Sequence, residues 1–428
     1  MKKNVLASTR RPRKKSVAVV GIGRVGLPLA LILASKGLTV YGLGRDKEKI
    51  TKINDGVMPF LEKGAPTLLR QVRKKRFFAT TDYSVISSCD FIVLTLGTPI
   101  DENMNPVFSQ IEKAIGEMKR YIRKEQTLIL RSTVSPRTTR YVKSLLNDVE
   151  GIKVGHNFFL AFCPERIAEG RALEEIATIP QMVGGVDEKS TIKAKELFRL
   201  LGVDTILTDD ISAELAKLFT NMYRYINFAM ANEFMVLADY YQRDIHTIVQ
   251  LVNYGYTRGG VSLPGFTAGP CLFKDGFFMI SELPFADLFL TSWKINESVP
   301  LFLVKKLRDA TDLVNKKAVI LGLAFKAEID DVRASLSFKA KKALLRERMT
   351  VILHDPYVKD TQGQGLVPDV YDAVKHADVI FVGTNHKMYS SLDIPRIKRL
   401  VNKNCMVCDI WNVFGSGKIL FPLEELTH

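Results

Sequence analysis

The chain has 428 residues, of which 46% are hydrophobic, 28 are glycine and 17 are proline. This composition is that of a globular protein with two or three domains, and it excludes a disordered or low-complexity chain. The formal net charge is +15 at pH 7, and an anionic small-molecule substrate would account for part of that excess.

A basic segment over residues 1–16 precedes the first predicted strand. It contains Lys2, Lys3, Arg10, Arg11, Arg13, Lys14 and Lys15. We interpret it as a solvated tail, because no nucleic-acid-binding motif accompanies it. The segment leads directly into a glycine loop, so we expect no cleavable signal peptide. No apolar run approaches the roughly 18 residues of a membrane span. We therefore expect neither a nucleic-acid nor a membrane partner.

The five cysteines, at positions 89, 163, 271, 405 and 408, are too scattered for a disulfide framework. Their distribution favours a reducing, cytoplasmic location. Cys405 and Cys408 have the spacing of a CxxC motif but fall in an apolar run typical of a strand. An offset of three places the two thiols on opposite faces of a strand. We therefore predict no metal site.

The first predicted unit is a strand, a glycine loop, a helix and a second strand. The strands are residues 17–20 and 38–42, and the helix spans residues 27–34. The loop between them contains Gly21, Ile22, Gly23, Arg24, Val25 and Gly26. A GxGxxG sequence between a strand and a helix predicts a dinucleotide site, because glycines let the backbone approach a pyrophosphate at the helix N-terminus.

The position after the second strand lacks the acidic residue that binds ribose hydroxyls in NAD sites. Gly44 and Arg45 stand there, and Asp46 follows as the predicted N-cap of a helix over residues 46–55. A small residue followed by arginine suits a 2′-phosphate. NAD and NADP both remain possible cofactors. Further strands at residues 91–95, 128–130 and 158–161 predict a doubly wound parallel sheet over residues 17–208.

A long helix is predicted from Ile211 to about Tyr241, within a central region at residues 209–305. Ser212 is its predicted N-cap, and Glu214 is expected in its first turn. Lys217 and Asn221 are four residues apart and share one helix face. Their simplest interpretation is an extended surface lysine and an exposed asparagine. A helix of this length is predicted to connect domains and to form a dimer contact.

Cys271 lies in a glycine- and proline-rich loop, followed by Lys274 and Asp275. A cysteine in such a loop is an unlikely core residue. The positive charge of Lys274 would favour the thiolate form of Cys271. A nucleophilic cysteine beside a nicotinamide fold suggests oxidation through a thiohemiacetal and a thioester.

A second α/β series starts at Lys317, with strands at residues 317–322, 351–354, 379–382 and 406–409, inside a C-terminal domain at residues 306–428. The predicted fold class is therefore α/β, with two Rossmann-like doubly wound domains joined by a long central helix.

The chain resembles the UDP-sugar 6-dehydrogenases, which include the UDP-glucose and UDP-N-acetylmannosamine dehydrogenases. The resemblance covers nearly the whole chain. It rests on seven ordered motifs: Gly21–Gly26, Gly97–Pro99, Ser132–Val134, Pro164–Glu165 with Glu169–Gly170, Glu214–Lys217 with Asn221, Cys271 with Lys274–Asp275, and Gly322–Lys326 with Asp331–Ser335.

The resemblance implies a reaction and roles for individual residues. A UDP-hexose would be oxidised at C6 to the uronate with two molecules of NAD and one water. Cys271 would be the nucleophile, Lys217 and Asn221 would stabilise charged oxygens, and Asp275 would orient Lys217 and water. Glu165 and Thr133 would act in acid–base steps through water.

The remaining implied roles concern binding. The cofactor would contact the glycine loop, Arg45, Thr98 and Thr133. The substrate would contact Glu165, Arg166, Lys217, Asn221, Gly269, Lys326 and Arg333, with Arg258 reaching the substrate of a second subunit in a homodimer.

The sequence leaves the hexose open. Arg166 resembles the N-acetylhexosamine branch of the family, whereas Lys274–Asp275 resembles the UDP-glucose branch. Gly269–Pro270 replaces the paired glycines usual before the cysteine, in a loop one residue shorter. A simple two-electron hydroxyacid-type dehydrogenase and a non-catalytic nucleotide-sugar-binding protein remain alternatives.

Overall fold

The computed structural model describes residues 15–280, 286–359 and 365–426. Most of the predicted basic tail therefore lies outside the described residues. The chain forms two compact units. The first contains the described residues up to Pro99 together with Pro106–Lys217, and the second contains Ile100–Asn105 and the described residues from Leu218 onward.

The first unit is built on one sheet of eight strands among the described residues, in the spatial order β3-β2-β1-β4-β5-β6-β7-β8. All neighbouring strands are parallel except β6 and β7, which are antiparallel. The strands are β1 (Ser16–Val20), β2 (Thr39–Leu43), β3 (Phe77–Thr80), β4 (Phe91–Leu94), β5 (Thr127–Leu130), β6 (Phe159–Phe162), β7 (Gln181–Gly185) and β8 (Thr205–Asp209).

Both faces of this sheet are covered, as a parallel sheet requires. Val17 and Val19 belong to one hydrophobic core, and Ala18 and Val20 belong to the other. The covering helices are α1 (Gly26–Ser35), α2 (Lys47–Asn54), α3 (Ala65–Val72), α4 (Ser109–Met118), α5 (Thr138–Asn147), α6 (Ala172–Ile176) and α7 (Glu188–Leu201), with a 3₁₀ helix at Tyr83–Ser88.

The second unit contains a five-stranded sheet in the order β10-β9-β11-β12-β13. Its strands are β9 (Lys317–Leu321), β10 (Thr350–His354), β11 (Val379–Val382), β12 (Met406–Cys408) and the antiparallel β13 (Leu420–Pro422). Here too alternate residues of the first strand serve opposite cores, since Ala318 and Ile320 pack in one and Val319 and Leu321 in the other.

The helices of the remaining chain begin with α8 (Asp210–Tyr240), which starts in the first unit and continues in the second. The others are α9 (Ile245–Asn253), α10 (Leu272–Asp275), α11 (Phe277–Ile280), α12 (Asp287–Ala310), α13 (Ser337–Arg346), α14 (Val370–Val374) and α15 (Ile394–Leu400), with 3₁₀ helices at Lys387–Ser391 and Leu423–Glu425. The predicted α/β class with two Rossmann-like sheets is confirmed. In the described part of the chain, no helix has both the length and the apolar character that crossing a membrane requires.

The long helix was predicted in the right place, but its N-cap was assigned to the wrong residue. The Asp209 carboxylate accepts the Ser212 N–H at 2.9 Å and the Ser212 hydroxyl at 2.6 Å. Asp209 therefore caps α8. Ser212 lies inside the first turn because the aspartate three residues earlier already satisfies its N–H.

Candidate active site

The glycine loop after β1 has the geometry of a phosphate cradle. Gly21 has φ of +98°, and a Cβ there would lie 2.7 Å from the Thr95 carbonyl oxygen. A Cβ on Gly26 would lie 2.1 Å from the Gly21 oxygen, so both turns require glycine. Gly23 has nothing within 4 Å of its missing side chain. The loop can therefore accept a pyrophosphate from the Gly23 side.

A pocket of about 410 Å³ opens beside this loop, at the carboxyl ends of β1, β2 and β4. This is where the strand order reverses, the position at which open α/β sheets bind ligands. Tyr83 lines the pocket. Burial and the neighbouring Glu117 raise the pKa of its hydroxyl to about 12, with Arg45 acting in the opposite direction. The residues present fit an adenine dinucleotide.

Arg24 links the glycine loop to the segment that contains Glu169 and Gly170. Its Nε lies 3.8 Å from Glu169 Oε2, and its guanidinium lies 5.1 Å from the centre of the Phe60 ring. Glu62 holds the same segment by accepting the Gly170 N–H at 3.0 Å. Two predicted motifs far apart in sequence thus meet in the first unit.

Thr98 and Thr133 also meet there. The Thr98 hydroxyl donates to the Thr133 carbonyl oxygen at 2.6 Å. This bond ties the loop after β4 to the loop after β5, which are adjacent strands.

Glu165 is held by a residue that the sequence analysis missed. Arg131, fully buried at the end of β5, pairs with Glu165 Oε2 and also donates to the Gln181 side chain at 3.0 Å. The other Glu165 oxygen accepts the Arg166 N–H at 2.8 Å and the Ile167 N–H at 3.3 Å. The sequence did carry a signal for Arg131, since it is a charged residue directly after a buried strand and directly before the predicted motif at Ser132.

Arg166 and Glu214 take positions that sequence alone did not specify. The Arg166 guanidinium donates to the Pro180 carbonyl. Glu214 lies beyond the first turn of α8, and its carboxylate instead accepts the N–H groups of Arg137 and Thr139 at 2.7 and 2.8 Å, capping α5. Burial raises the pKa of Glu214, against the lowering effect of these hydrogen bonds. The first-turn assignment was wrong because α8 begins at Asp210, which places Asp210 rather than Glu214 in its first turn.

Lys217 and Asn221 are both buried, with relative exposures of 9% and 4%. This excludes the alternative of a surface lysine and an exposed asparagine. Asn221 Nδ2 lies 2.5 Å from Asp275 Oδ2, and the Lys274 ammonium lies 3.0 Å from Asp275 Oδ1. The second unit therefore brings Asn221, Lys274 and a fully buried Asp275 together.

Cys271 differs from the other four cysteines in being exposed. It precedes α10, and its carbonyl accepts the N–H groups of Lys274 and Asp275 at 3.1 and 3.0 Å. Burial raises the pKa of the Cys163 and Cys405 thiols to about 12 each. Of the described cysteines, Cys271 alone has the exposure that a nucleophile needs.

The loop before Cys271 is fixed at two glycines. Gly269 has φ of +103°, and a Cβ there would lie 2.6 Å from the Phe325 ring. A Cβ on Gly265 would lie 2.3 Å from the Trp411 ring. Because these rings leave no room for side chains, the backbone of the loop packs directly against the elements around the second sheet.

Buried amides anchor the start of this loop. The Gly265 N–H donates to Asn232 Oδ1 at 2.9 Å, and Asn232 Nδ2 donates to Asn296 Oδ1 at 2.9 Å. Asn296 in turn donates to the Tyr225 carbonyl at 3.2 Å. This chain joins α8, α12 and the loop. Sequence reasoning missed it because neither asparagine stands in a recognisable motif.

A cleft of about 370 Å³ lies along the fixed loop. Its lining includes four aromatic rings, among them Phe325 and Trp411, and two cations, Arg224 and Lys326. An apolar cleft with a few cations suits a base joined to a diphosphate. Of the predicted substrate residues, Lys326 lies in this cleft.

Arg333 and Arg258 lie outside that lining. The Arg333 guanidinium pairs with both oxygens of the buried Asp331, at 2.9 and 3.0 Å from its Nε. Its side chain is nevertheless 58% exposed. Arg258 is exposed and lies 5.1 Å from the Tyr256 ring.

Three models of one family match the chain in order. They are the NAD-binding, central and UDP-binding domains of the UDP-glucose/GDP-mannose dehydrogenase family, at residues 15–202, 211–298 and 319–416.

Two curated relatives match over most of the chain. The UDP-N-acetyl-D-mannosamine dehydrogenase of Pyrococcus horikoshii is 31% identical over 386 residues, which cover 88% of this chain and 91% of the relative. That of Methanocaldococcus jannaschii is 30% identical over 411 residues, covering 94% and 93%.

Solved structures agree with these relatives. The Pyrococcus horikoshii dehydrogenase structure has a TM-score of 0.85 at 29% identity and covers 90% of this chain and 93% of its own. A Staphylococcus aureus UDP-N-acetyl-mannosamine dehydrogenase has a TM-score of 0.82 at 25% identity and covers 91% and 93%. The chain therefore belongs to the UDP-glucose/GDP-mannose dehydrogenase family and is an NAD-dependent oxidoreductase of UDP-sugars.

Proposed function

We propose that the protein oxidises C6 of UDP-N-acetyl-D-mannosamine to the uronate. The observation that carries the proposal is the exposed Cys271, placed after a loop fixed along a cleft suited to a nucleotide. The relatives named above act on UDP-N-acetyl-D-mannosamine, and Arg166 resembles the same branch. UDP-glucose is the competing substrate, because Lys274–Asp275 resembles the other branch.

The predicted cofactor-binding domain at residues 17–208 would hold the cofactor. Gly23 would face its pyrophosphate, with Gly21 and Gly26 giving the loop its tight turns, while the linked Thr98 and Thr133 would border the nicotinamide end. NAD, when bound, supplies the acceptor for both oxidations, so two molecules are consumed per sugar.

The covalent steps take place at Cys271. The thiolate adds to the C6 aldehyde carbon, and the new oxygen anion is protonated to give a thiohemiacetal. Oxidation of this adduct leaves a thioester on Sγ. Water then adds to the thioester carbonyl, the C–S bond breaks, and the uronate leaves as the thiol is regenerated.

Buried polar groups would stabilise the charged intermediates. Lys217 and Asn221 would donate to the C6 oxygen when it carries negative charge. Asp275, whose carboxylate contacts Asn221 Nδ2 and the Lys274 ammonium, would fix the orientation of Asn221. By the family resemblance it would also orient Lys217 and water. Glu165 would act through water in acid–base steps, as the family resemblance implies, and Arg131 and two backbone N–H groups hold its carboxylate in one position.

The UDP portion would bind in the second unit. The cleft beside Phe325 and Trp411 suits the uracil, and Lys326 suits the diphosphate. Gly269 would face the sugar through its backbone, and Arg333 would lie at the edge of the region at residues 306–428 that receives UDP.

We also propose a homodimer formed through the central region at residues 209–305. Helix α8 exposes large apolar side chains, with Tyr223 71% and Leu237 57% exposed. Surfaces of this kind mark association sites. Arg258 would then reach the partner's substrate. Light scattering at micromolar concentration tests the dimer, and a fully active monomer would contradict it.

A substrate panel tests the reaction. The protein is incubated with NAD and, in separate samples, UDP-glucose, UDP-N-acetylglucosamine, UDP-N-acetylgalactosamine and UDP-N-acetylmannosamine. We expect two reduced cofactors per molecule of UDP-N-acetylmannosamine. One per sugar would indicate a two-electron dehydrogenase, and none with any sugar would indicate a nucleotide-sugar-binding protein.

A further inference from the structure

The adenosine end of the cofactor pocket lacks an available carboxylate. Among the described residues that line the pocket, Asp46 is the one carboxylate. Its Oδ1 accepts the Lys49 N–H at 3.0 Å, which makes it the N-cap of α2. A carboxylate used as a cap stabilises its helix. Asp46 is therefore poorly placed to accept hydrogen bonds from both ribose hydroxyls of NAD.

The residue directly after β2 is Gly44, at the position where NAD sites commonly present an acid. A Cβ there would lie 3.2 Å from Ile50 Cδ1 and 3.3 Å from Ile22 Cγ1. Both neighbours are side-chain atoms rather than backbone, and each would need to shift by a few tenths of an ångström for a larger residue to fit. The absence of a side chain at Gly44 therefore leaves the pocket without the group that would repel a phosphate.

Positive charge lines the pocket instead. Arg45 and Lys49 both contribute to the wall. Arg45 is exposed, and no carboxylate in the described part of the chain forms an ion pair with its guanidinium. An arginine beside the adenosine ribose is the group that accommodates the 2′-phosphate of NADP.

We propose that this pocket contains a 2′-phosphate site centred on Arg45, so that the enzyme accepts NADP as well as NAD. The inference rests on the proposed function only in requiring that a nicotinamide dinucleotide bind at the glycine loop. The guanidinium would form charge-assisted hydrogen bonds with the phosphate oxygens, and Lys49 would add to the local positive potential.

The test is calorimetric binding of NAD and of NADP to the full chain without any sugar. The two ligands differ only by the 2′-phosphate. We expect wild-type NADP affinity to lie within about tenfold of NAD affinity, and Arg45→Gln to lower the NADP-to-NAD affinity ratio about tenfold, the scale of one hydrogen bond to a charged group. Gly44→Asp should lower the same ratio, by returning a carboxylate to the pocket.

Arg70→Gln is the matched control, because Arg70 is an exposed arginine on α3 that does not line the pocket. It should leave the affinity ratio unchanged. The proposal is overturned if wild type binds NADP more than about 100-fold more weakly than NAD, or if Arg45→Gln leaves the affinity ratio unaltered. Because no sugar is present, failure of the proposed substrate or chemistry would not alter this result.

Discussion

The two sheets use the same glycine turn after their first strand. Gly21 follows β1 with φ of +98°, and Gly322 follows β9 with φ of +94°. Each donates its N–H, at 2.8 Å, to the last residue of the adjacent second strand, which is Leu43 in one sheet and His354 in the other. Each turn therefore places a loop at the point where the strand order reverses, which is where open α/β sheets bind ligands. A ligand there is bound either by the backbone of the loop or by neighbouring side chains.

The two loops differ in what satisfies their backbone. In the first, Asp46 is used by α2, and the N–H groups of Gly23 and Val25 have no acceptor among the described residues. In the second, Asp355 accepts the N–H groups of Leu323 and Ala324 at 2.7 and 3.0 Å. The first loop thus has backbone donors for a phosphate, whereas the second has already paired its donors with its own carboxylate.

This difference shows how similar sheets acquire different binding modes. A loop whose N–H groups point outward recognises a phosphate through the backbone, so substitutions that add a side chain are harmful there. A loop closed by an internal carboxylate depends on neighbouring side chains, so truncations are harmful. Substitutions of each kind therefore distinguish the two binding modes.

Removal of the exposed thiol should have the largest effect. Cys271→Ser should lower the rate of uronate release by about 1,000-fold or more, because serine is a far poorer nucleophile and leaving group at neutral pH. The measurement is steady-state turnover, with UDP binding by calorimetry as the control for folding. Turnover equal to wild type would remove covalent catalysis from the proposed reaction.

Truncation of the buried lysine tests the same dependence on side chains. Lys217→Ala should lower kcat about 100-fold with a smaller change in KM, because a charge that acts on oxyanionic intermediates contributes mainly in the transition state. Lys294→Ala, at an exposed position on α12, is the control and should match wild type. A change confined to KM would assign Lys217 to substrate binding.

Asp355→Asn removes the carboxylate that accepts the backbone N–H groups of the second loop. Burial alone would raise the pKa of Asp355, but the hydrogen bond to His386 and those from backbone N–H groups outweigh it and lower the pKa from 3.8 to about 2. The substitution should reduce the free energy of unfolding by about 2 kcal/mol at neutral pH, since the amide is a weaker acceptor.

The pH dependence gives the sign of this effect. A carboxyl group with a depressed folded-state pKa contributes stability that is complete above its ordinary value and is lost as the pH falls through the depressed value. The stability gap between wild type and Asp355→Asn should therefore be constant at neutral pH and narrow between pH 3.8 and about 2. Denaturant unfolding at several pH values measures it, and a pH-independent gap would contradict the account.

Addition of one methyl group to the first loop should give the smallest effect. Gly23→Ala has open space around the new Cβ, so the stability should change by no more than about 0.5 kcal/mol. NAD affinity should fall about tenfold, because the methyl group occupies the path of the pyrophosphate. Gly116→Ala, also in open space on α4, should leave NAD affinity unchanged in the same calorimetric assay.

The sequence alone determined the structural elements that depend only on residues close together in the chain. The apolar runs of β1 and β9, the glycine turn at Gly21 and the cap at Asp46 follow from neighbouring residues, and the structure agrees with each of these predictions. The position of Cys271 in a glycine-rich loop was equally visible, because loop composition is a local property of the sequence. Family membership followed because ordered motifs preserve these local features.

Only the tertiary structure decided which polar groups meet across long sequence separations. Arg131 pairs with Glu165, 34 residues away, because adjacent parallel strands end at the same edge. Glu214 leaves its own helix to cap α5, 75 residues earlier at Thr139. Asp355 closes a loop 31 residues before it, at Ala324. A buried carboxylate pairs with the hydrogen-bond donors that the packed fold brings near it. Sequence periodicity does not predict which donors these are.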